Sequence, residues 1–394
     1  MDFRVIGSIF LIIGTSIGAG ILALPLVTAV GGFYFACLLL LICWFISTLG
    51  ALYLLEVNLK MPLHSNLITM ARSTLGLPGQ LFAWFFYLLL LYSLIAAYLA
   101  GGTEVVNSLL NIINIKLPTW LDTFLFLILL GFFVYQGIRS VDWLNRGLMC
   151  TKLAVFFLLV ILASFHIQTN KLMIGSVPKL LPAVMIVITA FGFSIIIPSL
   201  RIYLHNDIKK LRITILVGSF IALFCYITWL LVIQGNIATY GPTGLVSIAS
   251  SKDTVGNLTT ALIQKLHTPL VITFIHFFTS ICMITSFLGV SLSLTDFLAD
   301  GLQVSKKGKG NLVVYGLTFI PPLIIVLFIP SIFIKALDYA GIICVILLIL
   351  LPAIMAWRSR QQITKSTYQV WGKNYLLSFV IIASIILLII AATN

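Results

Sequence analysis

Gly14-Thr15-Ser16-Ile17-Gly18-Ala19-Gly20-Ile21-Leu22-Ala23-Leu24-Pro25 sits in the middle of an apolar run that extends from Val5 to Val30. The run is long enough to cross a bilayer, which takes roughly 20 apolar residues for about 30 Å of hydrocarbon. Gly14, Gly18 and Gly20, interleaved with Thr15 and Ser16, nevertheless disfavour a continuous helix, because each glycine costs about 1 kcal/mol relative to alanine. The helix is therefore expected to open there. Unwound backbone at that depth persists only against protein or a polar cavity, since lipid offers no hydrogen-bonding partner. A bound ligand is one such partner. The N-terminal end of the following half-helix suits a carboxylate and free carbonyls suit an ammonium, so an amino acid fits both. The competing reading is close helix packing, for Gly14 and Gly18 also satisfy GxxxG.

The same composition recurs in Ala190-Phe191-Gly192-Phe193-Ser194, followed by Pro198, whose ring and missing N–H disturb the turn before it. Between and around these stretches the 394 residues are 61% hydrophobic and 8% charged, with mean hydropathy +1.18. That balance excludes an ordinary soluble globule and makes lipid the solvent for most of the surface. Crossings are expected near residues 5–30, 33–55, 82–107, 121–137, 147–168, 180–204, 212–234, 268–295, 312–331, 335–357 and 374–392. The first run is too long for a signal-peptide core and lacks a small-residue cleavage site, so it is expected to remain as the first crossing. The class is an all-α polytopic membrane protein of eleven transmembrane helices.

An odd number of crossings separates the termini. Of the 23 lysines and arginines, all but Lys116, Lys171, Lys179, Lys252, Lys265 and Lys335 fall on the side of the N-terminus. By the positive-inside rule the N-terminus is cytoplasmic and the C-terminus external. Residues 58–80 read as an amphipathic interfacial helix or a solvated loop. The stretch from Gly235 to His267, with Gly-Pro and serine punctuation, reads as a structured surface loop over the outer face. The net charge of +13 is scattered through short loops and forms no nucleic-acid patch. The six cysteines show no metal-ligand or redox spacing.

The two interruptions open the first and the sixth crossing, the leading helices of two five-helix halves. Five crossings per half inverts the second relative to the first, the architecture of many secondary transporters. One membrane transport domain over 1–394 results: a first repeat over 5–168, an inverted repeat over 180–357, and an extra eleventh helix over 374–392. For substrate binding the breaks offer Thr15, Ser16, Ile17, Gly18, Ala19 and Gly20, with Ala190, Phe191, Gly192 and Ser194. Tyr92 and Tyr98 on the third crossing face either the cavity or a packing neighbour. Ionisable groups inside a membrane are candidates for coupling. Lys152 is either a buried amine exchanging a proton in each cycle or a lysine snorkelling to the inner interface. Glu104 is a proton acceptor or an interfacial cap. Asp300 either pairs with Arg4 across an inner gate or ends its helix in water. Nothing resembles a hydrolase constellation, a repeated filter or a charged pore ring. No enzymatic activity, cofactor or metal is read, and the partners expected are an amino acid and the bilayer.

Three blocks in order resemble the aromatic and hydroxy amino acid permeases of bacteria, within the amino acid-polyamine-organocation superfamily. They are residues 14–25 as quoted, Ile197-Pro198-Ser199-Leu200 with Asp207-Ile208-Lys209-Lys210-Leu211-Arg212, and Thr285-Ser286-Phe287-Leu288-Gly289-Val290-Ser291-Leu292 leading to Thr295-Asp296-Phe297-Leu298-Ala299-Asp300-Gly301. The resemblance spans nearly the whole chain. It implies a LeuT-type fold and proton-driven uptake of tyrosine, tryptophan or a related amino acid across the bacterial inner membrane. Sodium coupling and a hydroxy amino acid substrate are the alternatives. It also implies that an amine such as Lys152 takes the place of a bound cation beside the hydroxyls of Thr285 and Ser286. One departure stands out: the family usually has histidine and small residues after Gly192-Phe193, where this chain has Ser194, Ile195, Ile196 and Ile197.

Overall fold

The computed structural model describes residues 3–173, 175–266, 269–304, 309–362 and 368–393. Among them the regular elements are all helical, and ten helices are long and apolar enough to cross a membrane, or eleven with one bent pair counted as a single span. The bent pair is the first crossing. α1 (Phe3–Ser16) and α2 (Gly20–Thr28) meet at an angle of 55° across Ile17, Gly18 and Ala19. The opening expected from the glycines is therefore present.

The second crossing is α3 (Phe33–Leu59). The third belongs to α4 (Leu67–Ile112), which kinks at Gly76, whose φ of 75° lies in the left-handed region that glycine tolerates. Asn66 caps its start: Asn66 Oδ1 accepts the Thr69 N–H at 2.9 Å and Thr69 Oγ1 accepts the Asn66 N–H at 2.9 Å. The stretch 58–80 thus holds a short helical leg, not a solvated loop, and the crossing starts just past the kink. α5 (Thr119–Gln136), α6 (Ile138–Ser164) and the short α7 (Thr169–Leu172) follow.

The sixth crossing is assembled from pieces. A 3₁₀ stretch over Val177–Ala183 leads into α8 (Val184–Ala190), a second 3₁₀ stretch occupies Gly192–Ile196, and α9 (Ile197–Tyr203) carries Pro198 in its first turn. Proline is tolerated there because the N–H it lacks would have no helical partner. This interruption tightens the helix where the first one bends it. α10 (Ile208–Asn236) is the seventh crossing. The connection after it folds into α11 (Leu245–Ala249) and α12 (Thr254–Leu266), as expected of a structured cap; His267 lies outside the described residues, as do Lys306, Lys307 and Lys365. α13 (Pro269–Leu302) extends past the expected 268–295, of which residue 268 is also outside the described residues. α14 (Lys309–Phe328) is the ninth crossing. The tenth joins α15 (Phe333–Cys344) to α16 (Leu351–Gln362) through a π-helical segment, Val345–Leu350, and α17 (Lys373–Thr393) is the last.

The two faces are held differently. At the face where the chain begins, Glu56 of α3 is 0% exposed and receives both forks of Arg360, Nε and Nη2 each at 2.7 Å, together with the Val370 N–H at 2.9 Å. Lys60 Nζ stands 3.6 Å away. Arg201, at the end of the sixth crossing, donates to the carbonyls of Asn58 and Met61. The second and tenth crossings are thereby tied by an ion pair, and the sixth is tied to the second through backbone carbonyls. Glu56→Ala takes the carboxylate from Arg360, which keeps the Lys373 carbonyl and Asn374 Oδ1 as partners, and a loss of about 3 kcal/mol is expected; thermal unfolding of the purified protein in detergent checks this. At the opposite face the covering is a backbone and amide weave. Ser176 N–H bonds the Val30 carbonyl at 3.0 Å, Lys171 Nζ the Asn236 carbonyl at 2.6 Å, and Gln234 Nε2 bonds Thr28 Oγ1 at 3.0 Å.

Candidate functional site

The bend of the first crossing strips peptide groups of helical partners at mid-span, and the protein supplies replacements. The Ile17 carbonyl accepts Lys152 Nζ at 2.5 Å, the Ser16 carbonyl accepts the Tyr226 hydroxyl at 2.5 Å, and Ser286 Oγ accepts the Ala19 N–H at 2.9 Å. The same Tyr226 hydroxyl lies 2.7 Å from the Ala190 carbonyl, at the end of α8. One proton shared between two carbonyls clamps the first break to the second. These four peptide groups are thus satisfied within the protein. Tyr226→Phe removes the hydroxyl from both carbonyls, of which the Ser16 carbonyl still accepts the Gly18 N–H at 2.8 Å, and a destabilisation of about 1–3 kcal/mol is expected, read as a lowered Tm in detergent.

Lys152 is 1% exposed and also reaches Thr285 Oγ1 at 3.3 Å. It does not snorkel to an interface. Its ammonium joins the first crossing, α6 and α13 at one point. Gly18 is fixed by the same cluster, since a Cβ there would lie 2.6 Å from Ser286 Oγ.

Beside this cluster lies a cavity of about 310 Å³. Gly14 and Thr15 bound it on one side, Gly192, Ile195 and Ile196 on another, and Thr285, Ser286, Gly289, Val290 and Ser293 on a third. Leu90, Leu91, Leu94 and Tyr98 of α4, Asn145 and Met149 of α6, Thr189 of α8, and Cys344 and Leu348 of the tenth crossing complete it. The lining is largely apolar with a few polar groups, the usual make-up of a small-molecule site. It occupies the side of the breaks that leads to the N-terminal face. On the other side Ile21, Leu22, Ala23 and Leu24 are each 0% exposed, so that path is filled with side chains.

Of the residues expected to bind substrate, Thr15 and Gly192 line the cavity, as do the coupling candidates Thr285 and Ser286. Ser16, Ile17, Gly18, Ala19, Gly20, Ala190, Phe191 and Ser194 are buried behind it and shape the breaks. Tyr92 is a correction: its hydroxyl donates to the Leu317 carbonyl of α14 at 2.7 Å, and Tyr98, one and a half turns on, is the tyrosine that faces the cavity. Glu104 stands apart, at the opposite face, where it accepts the Val255 N–H at 2.6 Å. Arg4 and Asp300 are both exposed at the N-terminal face, and the ion pairs of the described residues do not include one between them. Tyr226 and Asn145 were not singled out from sequence, and Gly289 stood there only within the third quoted block. Tyr226 had a usable signal, a hydroxyl at the centre of an apolar span that demands a partner.

The Tryptophan/tyrosine permease family matches residues 1–391 of this chain. The chain belongs to that family. It is 34% identical to the Tyrosine-specific transport system 1 of Haemophilus influenzae over 98% of this chain and 95% of the relative. It is 30% identical to the Tryptophan-specific transport protein of the same organism, over 97% and 94%. The Glutamine transporter 2 of Aliivibrio fischeri is 31% identical over 94% and 92%. The permease is thus a multi-pass membrane protein whose breaks, cavity and buried lysine occupy one connected region.

Proposed function

We propose that the permease is a secondary active transporter that imports an aromatic amino acid, tyrosine or tryptophan, together with a proton, across the bacterial inner membrane by alternating access. The observation that carries this reading is the mostly apolar cavity of about 310 Å³ placed between two interrupted crossings. Leu94, Ile195, Ile196 and Val290 offer an aromatic ring an apolar wall, while Thr15, Ser286 and the 3₁₀ turn at Gly192 offer polar groups to the charged end. The relatives named for tyrosine and tryptophan support the substrate class. The repeat arrangement is read as LeuT-type: crossings 1–5 and 6–10 as inverted halves, each led by its broken helix, with the eleventh outside. With the N-terminal face cytoplasmic, the cavity faces inward and the external path is closed.

Lys152 supports the proton over sodium. Its ammonium already holds the Ile17 carbonyl and Thr285 hydroxyl that a sodium ion would need as ligands. Because it touches both the broken first crossing and α13, its charge biases how the two sit against each other. The test is uptake of labelled tyrosine, tryptophan, glutamine, serine and threonine into proteoliposomes under separate proton and sodium gradients. Accumulation of an aromatic substrate under the proton gradient alone is the expected result; accumulation of glutamine or a hydroxy amino acid in its place, or dependence on sodium, overturns the assignment.

A further inference from the structure

α12 begins at the face opposite the N-terminus, and its first turn exposes N–H groups that no helical carbonyl can reach. Two carboxyls from different parts of the chain fill that role. Asp253, the residue before the helix, accepts the Gly256 N–H on Oδ1 at 2.9 Å, an approach possible because a Cβ at Gly256 would sit 2.3 Å from that oxygen. Glu104, from the third crossing, accepts the neighbouring Val255 N–H on Oε2 at 2.6 Å. The two carboxyls thus converge on adjacent N–H groups of one turn. Glu104 is 6% exposed, and its other oxygen, Oε1, is buried without a hydrogen-bond partner.

The electrostatics do not close with two anions. A helix N-terminus carries about half a positive charge and so offsets at most one carboxylate. The charged or titratable groups on the elements around them are Lys252 and Lys265 of the same connection, Asp122 on α5, His276 on α13, and Lys335 and Asp338 on α15. None of these forms an ion pair with Glu104 or Asp253 among the described residues. Two carboxylates on neighbouring N–H groups also leave Glu104 Oε1 without a donor. A proton on one of them supplies that donor and removes the surplus charge. Burial likewise holds the Asp253 carboxyl above its ordinary value, against the opposing effects of the Gly256 N–H and Glu104.

We infer that Glu104 and Asp253 together form a proton-binding site that fastens the α11–α12 cap to the third crossing, so that one proton from the solvent at that face keeps the path beneath the cap closed. The sign follows from linkage. The pair holds its proton more tightly when the cap is docked, so docking is strongest below the undocked pair's pKa, weakens by about tenfold per pH unit between that value and the docked pair's pKa, and no longer changes with pH above it. The site is separate from Lys152 and does not depend on the substrate assignment.

The test uses the full chain in lipid nanodiscs, without substrate or gradient. Infrared spectra of the wild type should show a protonated-carboxyl C=O stretch that disappears on raising the pH, and Glu104→Gln and Asp253→Asn should each remove it. Amide hydrogen exchange over residues 254–266, corrected for intrinsic rates, should lose protection by about tenfold per pH unit in the wild type and stay flat in Glu104→Gln, whose amide supplies a permanent donor. Should Glu104→Gln fail to fold, Asp253→Asn serves alone, since asparagine caps a helix as well as aspartate. No such band in the wild type, a band unchanged in the variants, or exchange with the same pH response in both overturns the proposal. Failed uptake alongside a band that behaves as expected removes the transport reading and leaves this site standing.

Discussion

Lys152→Gln is expected to abolish proton-driven accumulation while leaving substrate exchange across the bilayer intact. Two pH units supply about 2.7 kcal/mol per proton, enough for about a hundredfold accumulation by a one-proton symporter. The variant should reach only equal concentrations inside and out. The glutamine amide can still donate to the Ile17 carbonyl that the ammonium now holds at 2.5 Å, so the bend at Ile17–Ala19 keeps its partner. What it lacks is a group that exchanges a proton, and with it the charge that makes the contact between the first crossing and α13 depend on the gradient. Counterflow of labelled substrate in the absence of a gradient separates the two effects. Accumulation by the variant at the wild-type ratio would remove Lys152 from the coupling step.

Gly289→Trp should eliminate saturable substrate binding, a loss of at least about a hundredfold or 2.7 kcal/mol, without unfolding the protein. Gly289 lines the cavity, and a Cβ placed on it meets no atom within 4 Å. The indole therefore enters space that substrate would otherwise fill. Gly18 makes the contrast, because a Cβ there runs into Ser286 Oγ and any larger residue strains the break itself. Gly289→Ala adds only a methyl to that open space and removes a glycine from a helix interior, so it should bind substrate and be as stable as the wild type or more so. Equilibrium binding by scintillation proximity, with Tm measured in parallel, distinguishes a filled cavity from a damaged fold.

The crossings and the first break were legible in the sequence because both follow from local rules. Twenty apolar residues mark a span, and Gly14, Gly18 and Gly20 mark its weak point whatever surrounds them. Which oxygen meets which donor was not legible. The Ser16, Ile17 and Ala190 carbonyls find Tyr226 and Lys152 at separations of 210, 135 and 36 residues, and nothing local selects those partners. Tyr92 illustrates the same limit: its angular position on α4 turns it toward α14, whereas Tyr98 comes round to the cavity. The sequence reading of Glu104 left a cap and a proton acceptor as alternatives. Glu104 meets the first turn of α12 as a cap, and Asp253 on the adjacent N–H is what brings a proton to the same place in the inferred proton-binding site.

In the proposed mechanism an aromatic amino acid occupies the hollow between the two broken crossings. A cryo-electron microscopy map of the protein saturated with tyrosine or tryptophan tests it most directly. Ring density is expected against Leu94, Ile195 and Val290, with the amino and carboxyl groups directed at Thr15, Ser286 and the turn at Gly192. An empty hollow at saturating ligand, or a first crossing traced as one unbroken helix through Ile17–Ala19, would contradict it.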